Sequence, residues 1–144
     1  MKTKEELRKI YSAYLPYDLE ICTSYQKSKL NKPKKLIGSD IDRIWLSGRF
    51  DIKPILYSMD MLTKPITHKG ETFVPLHKIL EEYNFDLSKM DEEYILSFKE
   101  SLIEVDMSYK TANMLLEWHF NIFGLEENEY IKKETILKLS FKAN

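Results

Sequence analysis

The chain has 144 residues, which is typical of one domain with a single hydrophobic core. Hydrophobic residues make up 43% and charged residues 31%, a globular profile that excludes a disordered chain. The 22 basic and 23 acidic residues give a net charge of −1, so overall charge recruits neither nucleic acid nor an anionic membrane.

Cysteine content and hydropathy exclude further classes of protein. Cys22 is the single cysteine, which excludes an intramolecular disulfide and a cysteine-based zinc site. No apolar run approaches the roughly 20 residues that span a bilayer, so no membrane partner is expected. The N-terminal stretch MKTKEELRKI is polar where a signal peptide is apolar, which predicts a cytoplasmic protein.

The first predicted element is a helix. Thr3 and Glu6 have the spacing of a capping box, in which side chains bond the unpaired backbone N–H groups of the first turn. Apolar residues then recur at i, i+3, i+4 and i+7, as an amphipathic helix requires, at Leu7, Ile10, Tyr11 and Tyr14. Pro16 should end this helix.

A β-rich region is predicted from residue 18 to about residue 74. Apolar and polar residues alternate from Leu19 onward, and LIGSDI (36–41) and RIWLS (43–47) are interpreted as further strands. Farther along, the Gly of His68-Lys69-Gly70 can supply the positive φ of a hairpin turn.

Two helices are predicted after this hairpin. The first begins at Pro75, and its apolar face consists of Leu76, Ile79, Leu80 and Tyr83. Ser88 is interpreted as the cap of the second, with Asp91 three residues on, and the side chains expected to point inward are Tyr94, Ile95, Phe98 and Leu102. Residues 81–106 hold nine acids against Lys89 and Lys99, a net charge of −7, so the chain is locally polarised.

The densest aromatic stretch is LLEWHFNIFGL, residues 115–125. On a helix over 112–123 the polar residues form one stripe, which leaves an apolar arc of about 240°, too broad for a surface helix. Gly124 should end this helix. His119 lies near the middle of the arc, which favours a buried, neutral, hydrogen-bonded histidine over a ligand or catalytic residue.

Catalytic and metal-binding patterns are weak. His68, His77 and His119 lack the HxxxH or HxH spacing that brings two imidazoles to one metal. Asp40 and Asp42 would share one strand face and could hold Mg²⁺, but solvated acids are the simpler interpretation. No nucleophile elbow and no phosphate-binding glycine loop is present in the sequence. We therefore expect no cofactor and no resident metal, and the sequence favours a protein that is not an enzyme.

One stretch suggests contact with nucleic acid. QKSKLNKPKK, residues 26–35, contains no acid and carries five lysines, namely Lys27, Lys29, Lys32, Lys34 and Lys35. Such a cluster could release counterions from a phosphate backbone, although Tyr25 is the only aromatic residue near it. A solvated loop is the alternative interpretation. The acidic 81–106 stretch, in turn, could complement a basic partner or be ordinary solvated surface.

Three stretches resemble a group of small, uncharacterised bacteriophage and prophage proteins. They are LPYDLEI (15–21), KPILYSMDMLTKPITHKGETFVP (53–75) and LLEWHFNIFGL (115–125). The resemblance carries no activity and no catalytic residue to this chain. It implies a phage gene product that works in the cytoplasm of an infected bacterium.

The sequence thus predicts a single α+β domain over residues 1–144. An antiparallel sheet in its N-terminal half is expected to pack against helices, one of them a largely buried helix near 110–123. The predicted function is that of a phage accessory protein that binds another protein, with a host or defence factor as the candidate. The alternative is a nucleic-acid-binding accessory protein that uses the lysine-rich loop at 27–35.

Overall fold

The computed structural model describes residues 3–25, 33–46, 50–104 and 107–135. Its helices and strands, in chain order, are α1 (Lys4–Tyr14), β1 (Glu20–Tyr25), β2 (Lys34–Lys35), α2 (Gly38–Leu46), β3 (Phe50–Leu56), β4 (Ile66–His68), β5 (Glu71–Phe73), α3 (Pro75–Glu82), α4 (Glu92–Glu104), α5 (Tyr109–Glu117) and β6 (Ile131–Lys132). The predicted α+β class is confirmed.

The chain divides into two compact units. The first unit combines the residues up to Ser58 with those from Leu116 onward, and the second consists of Met59–Leu115. The expectation of a single domain over 1–144 stays a prediction.

Helix α1 forms as its sequence signals predict. The Thr3 hydroxyl accepts a hydrogen bond from the backbone N–H of Glu6 at 3.1 Å, which caps the first turn. Ile10, Tyr11 and Tyr14 on its inner face are buried. They join the core of the first unit, whose other buried members are Leu19, Ile21, Leu36, Ile41, Leu56, Leu116, Leu125 and Tyr130.

The sheet of the first unit has the strand order β2-β1-β3-β6. Strand β1 pairs antiparallel with both β2 and β3, with Thr23 opposite Ile52, as the predicted antiparallel sheet requires. The short strand β6 lies parallel to β3, with Ile131 opposite Ile55, so the complete sheet is mixed. A strand from the C-terminal part of the chain therefore completes a sheet built in the N-terminal half.

The prediction of strands over 36–47 is wrong, because Gly38–Leu46 is the helix α2. Apolar residues at 37, 41 and 44 follow the spacing of a helix, and the Asp40 carboxylate accepts from the N–H of Ile37 at 3.0 Å, as in a capping box. Since successive helical residues turn by about 100°, Asp40 and Asp42 point in opposite directions. Asp40 is buried and Asp42 is exposed, so they do not form the shared carboxylate face that a strand would give.

In the second unit, β4 and β5 form the predicted hairpin. Lys69 and Gly70 make its two-residue turn with φ of 51° and 81°, and positive φ at both positions is the geometry that matches the twist of the strands. Helix α3 starts at Pro75 as predicted and buries Leu76, Ile79 and Leu80.

Helix α5 ends at Glu117, so the predicted helix near 110–123 exists but is shorter. His119 takes a positive φ of 64°, and the chain then runs alongside the end of β3. There the N–H of Tyr57 donates to the carbonyl of His119 at 2.7 Å, and the N–H of Asn121 donates to the carbonyl of Tyr57 at 2.9 Å. Trp118 and Phe120 lie beyond the helix and are still buried, because the chain here pairs with Tyr57, whereas Phe123 is half-buried.

Candidate functional sites

A concavity in the second unit is lined mainly by aromatic and aliphatic side chains. We call it the aromatic groove, and its lining residues are Tyr83, Phe85, Phe98, Ser101, Leu102, Met107, Ser108 and Thr111. Its volume is about 280 Å³. This is slightly below the roughly 300–1,000 Å³ of typical small-molecule sites, so the groove suits a protruding side chain better than a whole ligand.

Phe85 reaches the groove because of the way α3 ends. Asn84 adopts a left-handed φ of 65°, its N–H bonds the carbonyl of Glu81 at 2.9 Å, and the N–H of Phe85 bonds the carbonyl of Leu80 at 3.0 Å. These two bonds make a Schellman motif with asparagine at the left-handed position. The motif turns the chain sharply and leaves the Phe85 side chain 41% exposed.

A cluster of hydroxyl groups also lines the groove. The Tyr83 hydroxyl is hydrogen-bonded to the hydroxyl of Ser108 and, at 2.9 Å, to that of Thr111. Ser108 also caps α5, since its oxygen accepts from the N–H of Thr111 at 3.2 Å. The bond from Ser108, followed by that from Thr111, lowers the pKa of Tyr83. The Tyr83 ring is thereby fixed at the rim, and Lys110 lies 5.3 Å from its centroid.

A second concavity, which we call the acidic concavity, adjoins the aromatic groove at Phe85. Its lining residues are Phe85, Asp86, Lys89, Met90, Asp91 and Tyr94, and its volume is about 450 Å³. Asp86 accepts from the N–H of Ser88 at 3.1 Å, and Asp91 accepts from the N–H of Tyr94 at 2.8 Å. Both carboxylates therefore cap helical turns and are held in place at the surface.

The structure corrects two details predicted for this region. Ser88 lies inside a 3₁₀ turn, Leu87–Lys89, and Asp91 caps α4 in its place. Tyr94, expected to point inward, is 47% exposed, and Leu96 two residues on is 53% exposed. Of the residues predicted to face inward on α4, Leu102 is buried, whereas Ile95 and Phe98 are half-buried. The helix therefore presents apolar side chains to solvent.

The charge around these concavities is negative. Residues 81–100 contain seven acids and two lysines, a net of −5, and all seven acidic side chains are exposed. Glu82 is paired with Lys110 at 3.3 Å, so part of this charge is neutralised within the chain. The acidic character seen in the sequence is thus a surface property of the second unit.

In the first unit, the buried His119 binds two partners through its ring. Its Nε2 lies 2.6 Å from the carbonyl oxygen of Tyr17, and its Nδ1 lies 3.1 Å from the Nζ of Lys133. An ammonium group can only donate, so Nδ1 accepts and Nε2–H donates, which is the neutral tautomer assigned from its bonding. The predicted buried, hydrogen-bonded histidine is confirmed.

Lys133 is the partner that sequence reasoning missed. Burial lowers the pKa of its amine, and the charge of Glu20 acts in the opposite direction. Its Nζ also lies 5.2 Å from the ring centroid of Tyr57. Fourteen residues separate Lys133 from His119, so no local pattern could have paired them. Both imidazole nitrogens are thus occupied by hydrogen bonds to the Tyr17 carbonyl and the Lys133 ammonium. His119 is therefore suited to fixing the position of the chain that follows α5.

The lysines predicted for nucleic-acid contact are only partly within the described ranges. Lys27, Lys29 and Lys32 lie outside those ranges. Lys34 and Lys35 form β2, where Lys34 pairs with Asp40 at 2.8 Å and Lys35 pairs with Asp18 at 2.5 Å. Each of these two charges therefore faces a carboxylate of the chain itself, and nucleic-acid binding by the five lysines stays a prediction.

The other candidate groups do not assemble into a reactive centre. Across the described part of the chain, no three His, Cys, Asp or Glu side chains come together in a way that could hold a metal ion. Cys22 is buried, and its burial raises the pKa of the thiol, which disfavours the nucleophilic thiolate.

Comparison with known proteins gives no further assignment. No protein-family model, no curated protein and no solved structure matches this chain. Among the helices within the described ranges, none combines the length and the apolar character needed to cross a bilayer.

Proposed function

We propose that this protein acts by binding another protein through the aromatic groove and the acidic surface around it. The observation that carries the proposal is the exposure of Phe85 and Tyr94 beside a concavity in the most acidic part of the chain. Exposed apolar surface rimmed by polar residues is typical of protein interaction sites. Aromatic side chains in pockets dominate the energetics of such sites.

The apolar contribution to such an interface is substantial. Full burial of one aromatic side chain contributes roughly 1.5–3 kcal/mol, and Phe85, Tyr94 and Leu96 all have surface left to bury. Phe85 is also presented by the backbone bonds of the Schellman motif, so little ordering of the chain is required when a partner binds.

The charge of the surface indicates the chemistry of the partner. A net of −5 over residues 81–100 complements a basic protein surface and repels nucleic acid. Attraction between exposed charges is screened over about 8 Å at physiological ionic strength, so binding should weaken as salt rises. The resemblance to phage proteins makes a host or defence factor in the bacterial cytoplasm the partner class that we propose.

The experiment is a pull-down from bacterial lysate with the tagged protein, with and without nuclease. We expect a stoichiometric protein band that survives nuclease and disappears when Phe85→Ser replaces the wild type. Tyr109→Ser is the matched control, because Tyr109 is an 84% exposed aromatic residue that does not line the groove. Mass spectrometry of the band then names the partner.

Two results would count against this function. A protein band that Phe85→Ser leaves unchanged would show that the groove is not the binding site. Nucleic acid that co-purifies with the protein, together with a band that is lost after nuclease treatment, would support the nucleic-acid alternative, in which the lysines at 27–35 bind phosphates.

A further inference from the structure

Resting on that proposed function, we infer that the partner segment carries a large apolar side chain close to an arginine or lysine. The apolar side chain enters the aromatic groove, and the cation enters the adjoining acidic concavity. The two concavities share Phe85, and this juxtaposition of an apolar and an anionic subsite on one side chain carries the inference.

The aromatic groove provides the apolar subsite. Phe98, Leu102 and Met107 line it together with Phe85, and its volume of about 280 Å³ admits a single large side chain. Methionine adapts its shape to a guest because its side chain is unbranched and polarizable. The hydroxyl cluster at Tyr83 fixes the rim, so this subsite is largely formed before binding.

The acidic concavity provides the subsite for a cation. Asp86 and Asp91 contribute two carboxylates against the one ammonium group of Lys89 among the lining residues. Phe85 and Tyr94 add aromatic rings, and a cation within about 6 Å of a ring centroid is attracted to its face. Carboxylates combined with aromatic rings favour arginine, because its planar guanidinium hydrogen-bonds to carboxylates and stacks on aromatic rings.

Phe85, which lines both concavities, limits the distance between the two partner side chains that bind there. Since Phe85 belongs to both subsites, the two guest side chains must leave the partner backbone close together. On a helix, residues three or four apart meet this condition, with about 5–6 Å between their Cβ atoms. The partner segment therefore carries its large apolar residue and its cation within about one helical turn of each other.

Fluorescence anisotropy with synthetic peptides tests the inference. The probe is a labelled 14-residue helical peptide, rich in alanine and glutamine, with one tryptophan and one arginine three positions apart. In the matched peptides, glutamine replaces the arginine or alanine replaces the tryptophan. We expect the wild-type protein to bind the parent peptide at least about tenfold more tightly than either matched peptide, which corresponds to about 1.4 kcal/mol for each guest side chain.

Substitutions in the protein separate the two subsites. Asp86→Asn and Asp91→Asn remove charge while keeping a good capping residue, so each helical turn keeps its first hydrogen bond. Together they should abolish the preference for arginine over glutamine and leave the preference for tryptophan. Phe85→Ala should weaken the binding of all three peptides, and circular dichroism checks that each variant is folded.

Several outcomes would overturn the inference. Equal affinity for the arginine and glutamine peptides, no binding of any peptide, or an arginine preference that survives both Asp→Asn changes would each do so. Salt-reversible self-association in sedimentation, lost in the same double variant, would instead make a second copy of this chain the occupant. If the lysate band still depends on Phe85 while the peptides fail, the proposed function stands and the peptide chemistry is wrong.

Discussion

Replacement of His119 by leucine is the sharpest test of the structure in the first unit. Leucine keeps most of the apolar volume but removes both ring nitrogens. It therefore leaves the carbonyl of Tyr17 and the ammonium of Lys133 without the partners they have at 2.6 and 3.1 Å. The substitution tests hydrogen bonding far more than packing.

The expected loss of stability follows from these two groups. A buried polar group left without its partner costs about 1–3 kcal/mol, so two such groups would cost about 2–6 kcal/mol. Lys133 is only half-buried and can recover part of its hydration, which places the expected loss at about 2–4 kcal/mol. His119→Gln should cost less, since an amide can still bond one of the two groups.

Urea unfolding followed by tryptophan fluorescence measures the free energy of unfolding of each variant. The informative comparison is a double-mutant cycle with Lys133→Met, which removes the ammonium that His119→Leu leaves unpaired. The double variant should be more stable than the sum of the single effects by about 0.5–3 kcal/mol, the usual coupling between residues in contact. Strict additivity, or a His119→Leu protein as stable as wild type, would refute the hydrogen-bonded role of the ring.

Three further predictions concern packing, pH and the hairpin. Trp118→Ala should lower the free energy of unfolding by about 3–5 kcal/mol, whereas the exposed control Tyr109→Ala should change it by less than about 0.5 kcal/mol, both measured in urea. Burial raises the pKa of Tyr14, so above a pH of about 10 the unfolded chain loses a proton that the folded chain keeps. The free energy of unfolding should therefore fall as the pH rises above about 10, and it should fall less steeply in the Tyr14→Phe variant. Gly70→Ala should lower the melting temperature through a strain of about 1–2 kcal/mol at positive φ, and Gly70→Asn should lower it less.

Features governed by neighbouring residues were predictable from the sequence. The Thr3 cap, the turn at Lys69-Gly70 and the start of α3 at Pro75 each depend on local backbone chemistry, and each is confirmed. The prediction of strands over 36–47 is wrong because short apolar runs are compatible with the periodicity of a helix as well as that of a strand. The capping role of Asp40, which favours the helix, was not recognised.

Features governed by distant residues were not predictable. Helix α5 stops at Glu117 because the backbone of Tyr57, sixty residues earlier, pairs with the next residues. The partnership of His119 with Lys133 likewise exists only after folding. Around the aromatic groove, the acidic charge was predictable from the sequence. The exposure of Phe85 and Tyr94 was not predictable, because it depends on how α3 ends and how α4 packs.

The parallel pairing of β6 with β3 has a consequence for synthesis on the ribosome. The second unit is one continuous segment, Met59–Leu115, which leaves the ribosome before the residues that finish the first unit. Until Phe120 and Ile131 emerge, one edge of β3 has no strand beside it. An unpaired strand edge readily pairs with another chain, so nascent chains that stall before residue 131 should aggregate more than complete ones.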